Sequence, residues 1–504
     1  MASGTPFSNS RNIGQPDAML SFFGRANYTL LDRYSVGATL RADGSSRFGP
    51  GHRWGIFPSV AVSWDIANEP FMKNVGWIDQ LKFRYSYGTA GNNNIPSGQI
   101  YALYSASTTA QLADLNSVWN PSSNMPNPAL TWETAITQNV GLDFSFLGSR
   151  INGSIDYYDN RTKDLLIQFP IGGTGYKNQY QNRASIRNHG VEFTINLPII
   201  HKKDFDLNLS GNIAYNINKV LDLGGLDEIQ ATTGWASSHI SYDYKVTKGE
   251  SLGSVYGYQV EGIWQVEDFD YIDGKWVVKQ GLVSQSDVLG AKYFLPGSIK
   301  LKNQNDDLVI NSDDMVKIGN TLPDFTGGFS INAYLYGFDL SANFNYMVGN
   351  DIYNANRLRF TNISGWSFIN VSDEVSLDKR WTSIDWQTGN MFTDPVAYAE
   401  ANKDATMWSP VMQKAIVTDY GIEDGSFLRL QSLTLGYSLP AKLINKLHLT
   451  KFRIYATGTN LFCLTKYSGY DPEVDCRRSA LTPGCDFSAY PKAIGGVLGV
   501  NIGF

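Results

Sequence analysis

The chain has 504 residues, of which only 17% are charged and 13% aromatic, with 48 glycines and a formal net charge of −6. An acidic balance without a basic stripe excludes a nucleic-acid partner, and no apolar run approaches the ~18 residues of a membrane helix. A mean hydropathy of −0.23 leaves a membrane β-barrel open, because such a barrel carries its apolar residues at alternate positions.

Residues 1–17 hold no basic segment followed by an apolar one, so no signal peptide is visible. They read as a truncated loop ahead of a barrel region at 18–504. In that region period-two alternation begins at once. Phe22, Ala26, Tyr28 and Leu30 oppose Phe23, Arg25, Asn27 and Thr29, and Tyr34, Val36, Ala38 and Leu40 oppose Ser35, Thr39 and Arg41. Val60, Val62 and Trp64 follow, then Leu81, Phe83, Tyr85 and Tyr87. Similar patterns occupy 139–147, 149–159, 190–198, 325–336, 427–439 and 450–462. The clearest are 205–218, where Phe205, Leu207, Leu209 and Ile213 oppose Asp206, Asn208, Ser210 and Asn212, and 338–346. With the last strand, 491–504, roughly thirteen are expected, each near the 9–11 residues of a tilted membrane strand.

One face of these strands is rich in Asn, Ser, Asp and Thr and suits a wet lumen. The other is almost free of charge, as a lipid-facing surface requires. Tyr28, Tyr34, Trp64, Phe146, Tyr215, Phe338 and Tyr437 sit near strand ends, where aromatic girdles form. A soluble sandwich would place Lys and Glu on its solvent face. The sequence therefore predicts an all-β, antiparallel transmembrane barrel that ends on Phe504, a recognition end for barrel insertion.

Short turns at 30–33, 147–150, 199–204, 336–337 and 440–447 alternate with long segments at about 91–131, 166–183, 220–320, 350–423 and 463–490. Long segments on one side match extracellular loops, and their Tyr, Trp and amides suit sugar rings or extended peptides. Tyr101, Tyr104, Trp119, Trp381 and Trp386 are the candidate substrate contacts; Trp235, Tyr256, Trp264 and Trp366 belong to the same set. The plainer reading of such residues is loop packed against loop.

Asn303, Asn305, Asp307 and Asp314 take positions 1, 3, 5 and 12 of a degenerate EF-hand-like loop, a candidate Ca²⁺ site in which Leu308 stands at the usual turn glycine. No other cofactor is indicated. Cys463, Cys476 and Cys485 form no metal spacing; Cys476 and Cys485 either bridge a loop or remain thiols. His52, His189, His201, His239 and His448 show no H-E-x-x-H spacing and no G-x-S-x-G elbow occurs, so an enzyme is not expected.

Several stretches together carry a family resemblance. They are R-A-D-G-S-S-R-F-G-P at 41–50, W-G-I-F-P-S at 54–59, N-P-A-L-T-W-E at 127–133 and G-Y-Q-V-E-G-I-W-Q at 257–265. G-N-D-I-Y-N at 349–354, T-N-L-F at 459–462 and K-Y-S-G-Y-D-P-E at 466–473 complete the set. The chain resembles the SusC/RagA-type TonB-linked outer-membrane transporters of Bacteroidetes over nearly its whole length. The resemblance implies a 22-stranded barrel in the bacterial outer membrane, a plug inside it, a SusD-like surface lipoprotein as lid, and energy from TonB through the plug. Oligosaccharides or peptides are the implied substrates. No plug is visible, so the expectation is the C-terminal part of the barrel, with its N-terminal half on another chain or missing. The alternative is a plug-less adhesin or assembly accessory in the same membrane, without active transport.

Overall fold

The computed structural model describes residues 17–107, 118–236, 240–363, 370–412, 415–446, 448–476 and 479–504. The segment 1–17 therefore lies almost wholly outside the described residues. Thirteen strands pair in chain order. They are β1 (Met19–Leu30), β2 (Tyr34–Ser45), β3 (Trp54–Asp65), β4 (Ile78–Asn92), β5 (Glu133–Phe146) and β6 (Ile151–Pro170). β7 (Asn178–Lys202), β8 (Phe205–Leu223), β9 (Phe325–Leu335), β10 (Phe338–Val348), β11 (Phe427–Ser438), β12 (Lys451–Thr465) and β13 (Gly495–Gly503) follow. The chain forms two compact units: Met1–Val191 with Leu221–Leu226, and Glu192–Val220 with Asp227–Phe504. Among the described residues β1 pairs only with β2, and β13 only with β12.

The register turns the alternation of each strand into rows that run across strands. In the first unit Tyr28, Val36, Val62, Tyr85, Val140 and Tyr157 are successive partners from β1 to β6. One residue along, the row reads Thr29, Ser35, Ser63, Arg84, Gly141 and Asp156. The second unit repeats this with Leu207, Ala333, Leu340, Leu435, Ala456 and Leu498 beside Asn208, Asn332, Ser341, Thr434 and Thr457. Because side chains alternate faces, these rows set an apolar face against a polar one, and the polar row gives way only at Val497 of β13. The apolar face is exposed: Tyr28, Val36, Val62, Leu435 and Leu498 are all open to the surroundings, as lipid contact requires. Aromatic pairs mark strand ends, with Phe338 against Tyr437 at 4.5 Å and Tyr215 against Phe325 at 5.1 Å between ring centroids.

The polar face holds its charges in pairs. Arg84 reaches Asp143 at 2.8 Å and Asp156 at 3.0 Å, and Arg453 reaches Asp339 at 2.5 Å. Two glycines make room for them. A Cβ at Gly141 would lie 2.5 Å from Asp156 Oδ1 and 2.7 Å from Arg84 Nη2, and one at Gly436 would lie 2.5 Å from both Arg453 Nη2 and Asp339 Oδ1. Hydroxyl and amide ladders fill the spaces between, such as Asn343 Nδ2 donating to Ser432 Oγ at 2.9 Å.

The strands differ from the expected uniform 9–11 residues. β6, β7 and β8 have 20, 25 and 19 residues. At ~3.3 Å per residue, 25 residues far exceed a ~30 Å hydrocarbon core, so these strands continue beyond it as polar ribbon. The connection expected at 166–183 is accordingly only 171–177, since N-Q-Y-Q-N-R at 178–183 pairs as strand. The alternation could not reveal this, because a strand solvated on both faces has no apolar side to display.

At one end of the strands the turns are short: 31–33, 147–150, 203–204 and 336–337, with helical turns at 66–77 and 439–450. Glu69 organises the 66–77 connection. Its carboxylate takes hydrogen bonds from the Tyr34 hydroxyl, from Trp64 Nε1 at 3.0 Å and from Arg33 Nη1 at 2.8 Å. These donors, Tyr34 foremost, hold its carboxyl below the usual glutamate range.

Candidate substrate site in the long connections

At the other end the connections run 93–132, 224–324, 349–426 and 466–494. Ordering such lengths costs about 1–2 kcal/mol per residue in backbone entropy, and the connections offset it with cores of their own. In the first unit Phe48, Phe57, Ile95, Leu130 and Trp132 are buried together, and Trp132 Nε1 donates to the Arg53 carbonyl at 2.8 Å. In the second unit Trp264, Phe269 and Phe294 meet edge to face with centroids 5.3–5.9 Å apart. Trp276 and Trp381 flank Tyr398 at 5.5 and 5.7 Å. A second cluster joins Trp235, Tyr244, Tyr353 and Cys485, in which Trp235 Nε1 donates to the Tyr353 hydroxyl at 2.6 Å.

These cores sort the candidate aromatics. Trp235 and Trp264 are core residues, 6% and 3% exposed, and Tyr256 stacks under Lys245 with the ammonium 5.0 Å from its ring. Trp381 is also buried, at 3%; its indole packs on Tyr398 and lines a cavity. Tyr101 and Tyr104 are exposed in the first unit, 54% and 59%. Trp119 stands opposite Ala106 in a two-stranded ribbon of Tyr104–Ser107 with Val118–Pro121. Trp366 lies outside the described residues.

Trp381 and Trp386 come together at a cavity of about 430 Å³ within the second unit. Its floor depends on Gly297, whose φ of +86° suits glycine and whose Cβ would sit 2.0 Å from the Trp381 ring. Trp381 N donates to Met407 O at 2.8 Å, and Ser409 N donates to Gly297 O at 2.8 Å, so both walls are tied by backbone. Trp386, Ile384, Met391 and Val411 form an exposed apolar rim. Arg380, Lys292 and Tyr293 add two cations and a phenol. Sequence reading named the two tryptophans and missed these partners: Arg380, Ile384 and Met391 are their neighbours in the chain, while Lys292, Tyr293 and Val411 arrive from distant segments with no local pattern linking them. An apolar slot with cations at its rim can seat an apolar side chain or ring next to a carboxylate.

The candidate calcium loop closes on its own hydrogen bonds. Asn303 Oδ1 accepts from Asn305 N at 3.2 Å, Asn305 Oδ1 from Asp307 N at 3.1 Å and Asp307 Oδ1 from Val309 N at 2.8 Å. Buried Asp314 accepts from Gln304 N and Asn311 N, both at 2.9 Å. The left-handed residue is Asp306, at φ +59°, so Leu308 does not have to make the sharp turn and is exposed instead. Two of the four oxygen donors are neutral amides, and the described residues contain no cluster of three or more His, Cys, Asp or Glu placed for a metal.

Phe504 is 91% exposed at the end of β13, whose Gly503 pairs with Lys451.

Comparison with known proteins settles the family. Residues 2–345 match the family profile described as TonB dependent receptor-like, beta-barrel. The chain belongs to this family. Its sheet is part of an antiparallel transmembrane barrel of the bacterial outer membrane. It is 33% identical over 512 residues to TonB-dependent receptor P39 of Formosa agariphila, covering 97% of this chain and 46% of that protein. It is 31% identical over 494 residues to TonB-dependent receptor SusC of Bacteroides thetaiotaomicron, covering 97% and 44%. The structure of the RagAB peptide transporter superposes with a TM-score of 0.75 at 28% identity, over 97% of this chain and 48% of that one. The chain thus spans about half the length of the curated relatives it matches.

Proposed function

We propose that this TonB-dependent receptor barrel chain takes part in nutrient import, supplying part of the channel wall and the substrate-holding outer loops for oligosaccharides or peptides. The observation that carries this reading is the cavity at Trp381 and Trp386, built on long connections above a wall that is polar inside and apolar outside. The apolar rim with Arg380 and Lys292 favours a peptide over a neutral sugar, and the similar RagAB is a peptide transporter. Tyr101, Tyr104 and Trp119 form a second contact group on the first unit. A SusD-like lipoprotein would lid the long-loop side, and TonB would act through a plug. The remaining barrel strands would come from sequence outside these 504 residues, and Phe504 would serve barrel assembly.

The test is uptake. Deleting the gene should abolish growth on one peptide or glycan source, and Trp386→Ala should weaken substrate binding on the order of tenfold or more, the scale of an aromatic anchor. Unchanged growth on every tested glycan and peptide would favour the plug-less accessory and end the import reading. For the 303–314 loop we propose weak Ca²⁺ binding near the millimolar range of extracellular modules; calorimetric titration that shows no heat at millimolar Ca²⁺ removes it.

A further inference from the structure

Cys476 and Cys485 stand at the neck of one small loop in the 466–494 connection. Cys476 N donates to Cys485 O at 3.0 Å, so the two backbones meet directly, as a disulfide between them requires. Their side chains also face each other, since the two thiols are hydrogen-bonded to one another. The rest of the neck is held in place. Cys485 and Asp486 pair in parallel with Tyr353 and Asn354, Tyr353 N donates to Gly484 O at 3.0 Å, and the Tyr244 hydroxyl donates to Pro483 O at 2.6 Å. Asp486 accepts from the Tyr467 hydroxyl at 2.6 Å. Cys485 is fully buried while Cys476 is partly exposed.

We propose that Cys476 and Cys485 are joined by a disulfide in the mature protein, a covalent staple that closes the loop 477–484 on the long-connection side of the barrel. An outer-membrane protein crosses an oxidising compartment on its way to the membrane, and a protein disulfide of that compartment is the oxidant. The half-exposed Cys476 thiolate attacks one sulfur of that disulfide and displaces the other as a thiolate, giving a mixed disulfide. The Cys485 thiolate then attacks the Cys476 sulfur and releases the oxidant's second thiol. Two thiols of this chain are oxidised, one disulfide of the oxidant is reduced to a dithiol, and two protons pass to it. Cys476 is partly exposed and Cys485 fully buried, which assigns first attack to Cys476 and places closure before the Tyr353 cluster packs around Cys485; the hydrogen bond to Cys476, and then burial, also raise the Cys485 thiol above its ordinary range. Once closed, the staple fixes 483–486 against Tyr244 and Tyr353. Cys463, on β12, has no cysteine across from it: its partner in the register is Arg429.

The experiment is peptide mapping of the protein taken from outer membranes in the presence of a maleimide, digested without reductant. The expected product is one cross-linked species containing Cys476 and Cys485, which separates on reduction, with Cys463 carrying the maleimide. Trypsin cuts after Arg477 and Arg478 inside the ring, so the two halves should stay linked until reduced. Maleimide on both Cys476 and Cys485 in the folded protein would overturn the proposal. Cys476→Ser should make Cys485 recoverable as a thiol and should raise the rate of tryptic nicking at 477–478 in intact cells several-fold. If the variant is nicked no faster than wild type, the staple does not hold the loop.

Discussion

Arg429 shows what the family motifs do at the level of single side chains. It is 4% exposed and lies 2.5 Å from Asp471 and 2.8 Å from Glu473, both within K-Y-S-G-Y-D-P-E, while Lys492 reaches Glu473 at 2.6 Å. Removing one member of a buried pair leaves the other charge without compensation, at a cost of about 3–5 kcal/mol. Arg429→Met should therefore lower the urea midpoint followed by tryptophan fluorescence, whereas Lys492→Met, at the exposed margin, should move it by about 1 kcal/mol or less. Glu69 gives a pH prediction. Its carboxyl is held below the ordinary range, so the stability it contributes is complete above the unfolded value and is lost as pH falls through the folded one. Acid titration of unfolding should show this loss in the wild type, below about pH 4.3, and a shallower profile in Glu69→Gln. The motif residues were legible in sequence; their work was not. Phe48, Leu130, Trp132, Tyr353 and Tyr467 are buried, so the stretches that identify the family supply core positions of the long connections, whereas Trp386 is exposed and lies outside those stretches.

Strands were legible wherever membrane and lumen impose opposite chemistry on their two faces. The row through Leu207, Ala333, Leu340, Leu435, Ala456 and Leu498 follows from period two alone, as does its polar neighbour. The upper part of β7 does not, because water on both sides removes the contrast, and Asn178–Arg183 looks like loop. The same limit explains why Trp264 and Trp386 could not be separated in advance: a long connection has no period, and burial depends on partners such as Phe294 that no local spacing picks out. A lysine on the lipid face costs about 2–4 kcal/mol at mid-membrane. Leu435→Lys should thus reduce folding into lipid vesicles, read by the gel shift of the heat-modifiable form, while Thr434→Lys on the polar row should fold nearly as wild type. Equal defects in both would contradict the assignment of faces.

At the level of the molecule, β1 and β13 each have one strand partner among the described residues. The 12 residues of β1 present about half of their N–H and C=O groups on the unpaired side, and several kcal/mol per group in hydrocarbon adds up to tens of kcal/mol. Both edges therefore require strands to pair with in the bilayer. Expressed by itself, this 504-residue chain should fail to give a protease-resistant, heat-modifiable species in vesicles, and supplying further barrel strands in trans or in fusion should restore one. A closed barrel from these residues alone would refute that requirement.

The two glycines beneath ion pairs have a consequence for how this wall can diverge. Gly141 and Gly436 are not free to drift on their own, because any side chain there enters the space held by Arg84 with Asp156 or by Arg453 with Asp339. Each trio should change hands together over evolution: an alanine or larger residue at the glycine is tolerable once the arginine and aspartate have been replaced by shorter neutral residues. The diameter and charge of the passage at those two heights would then shift in steps, three substitutions at a time.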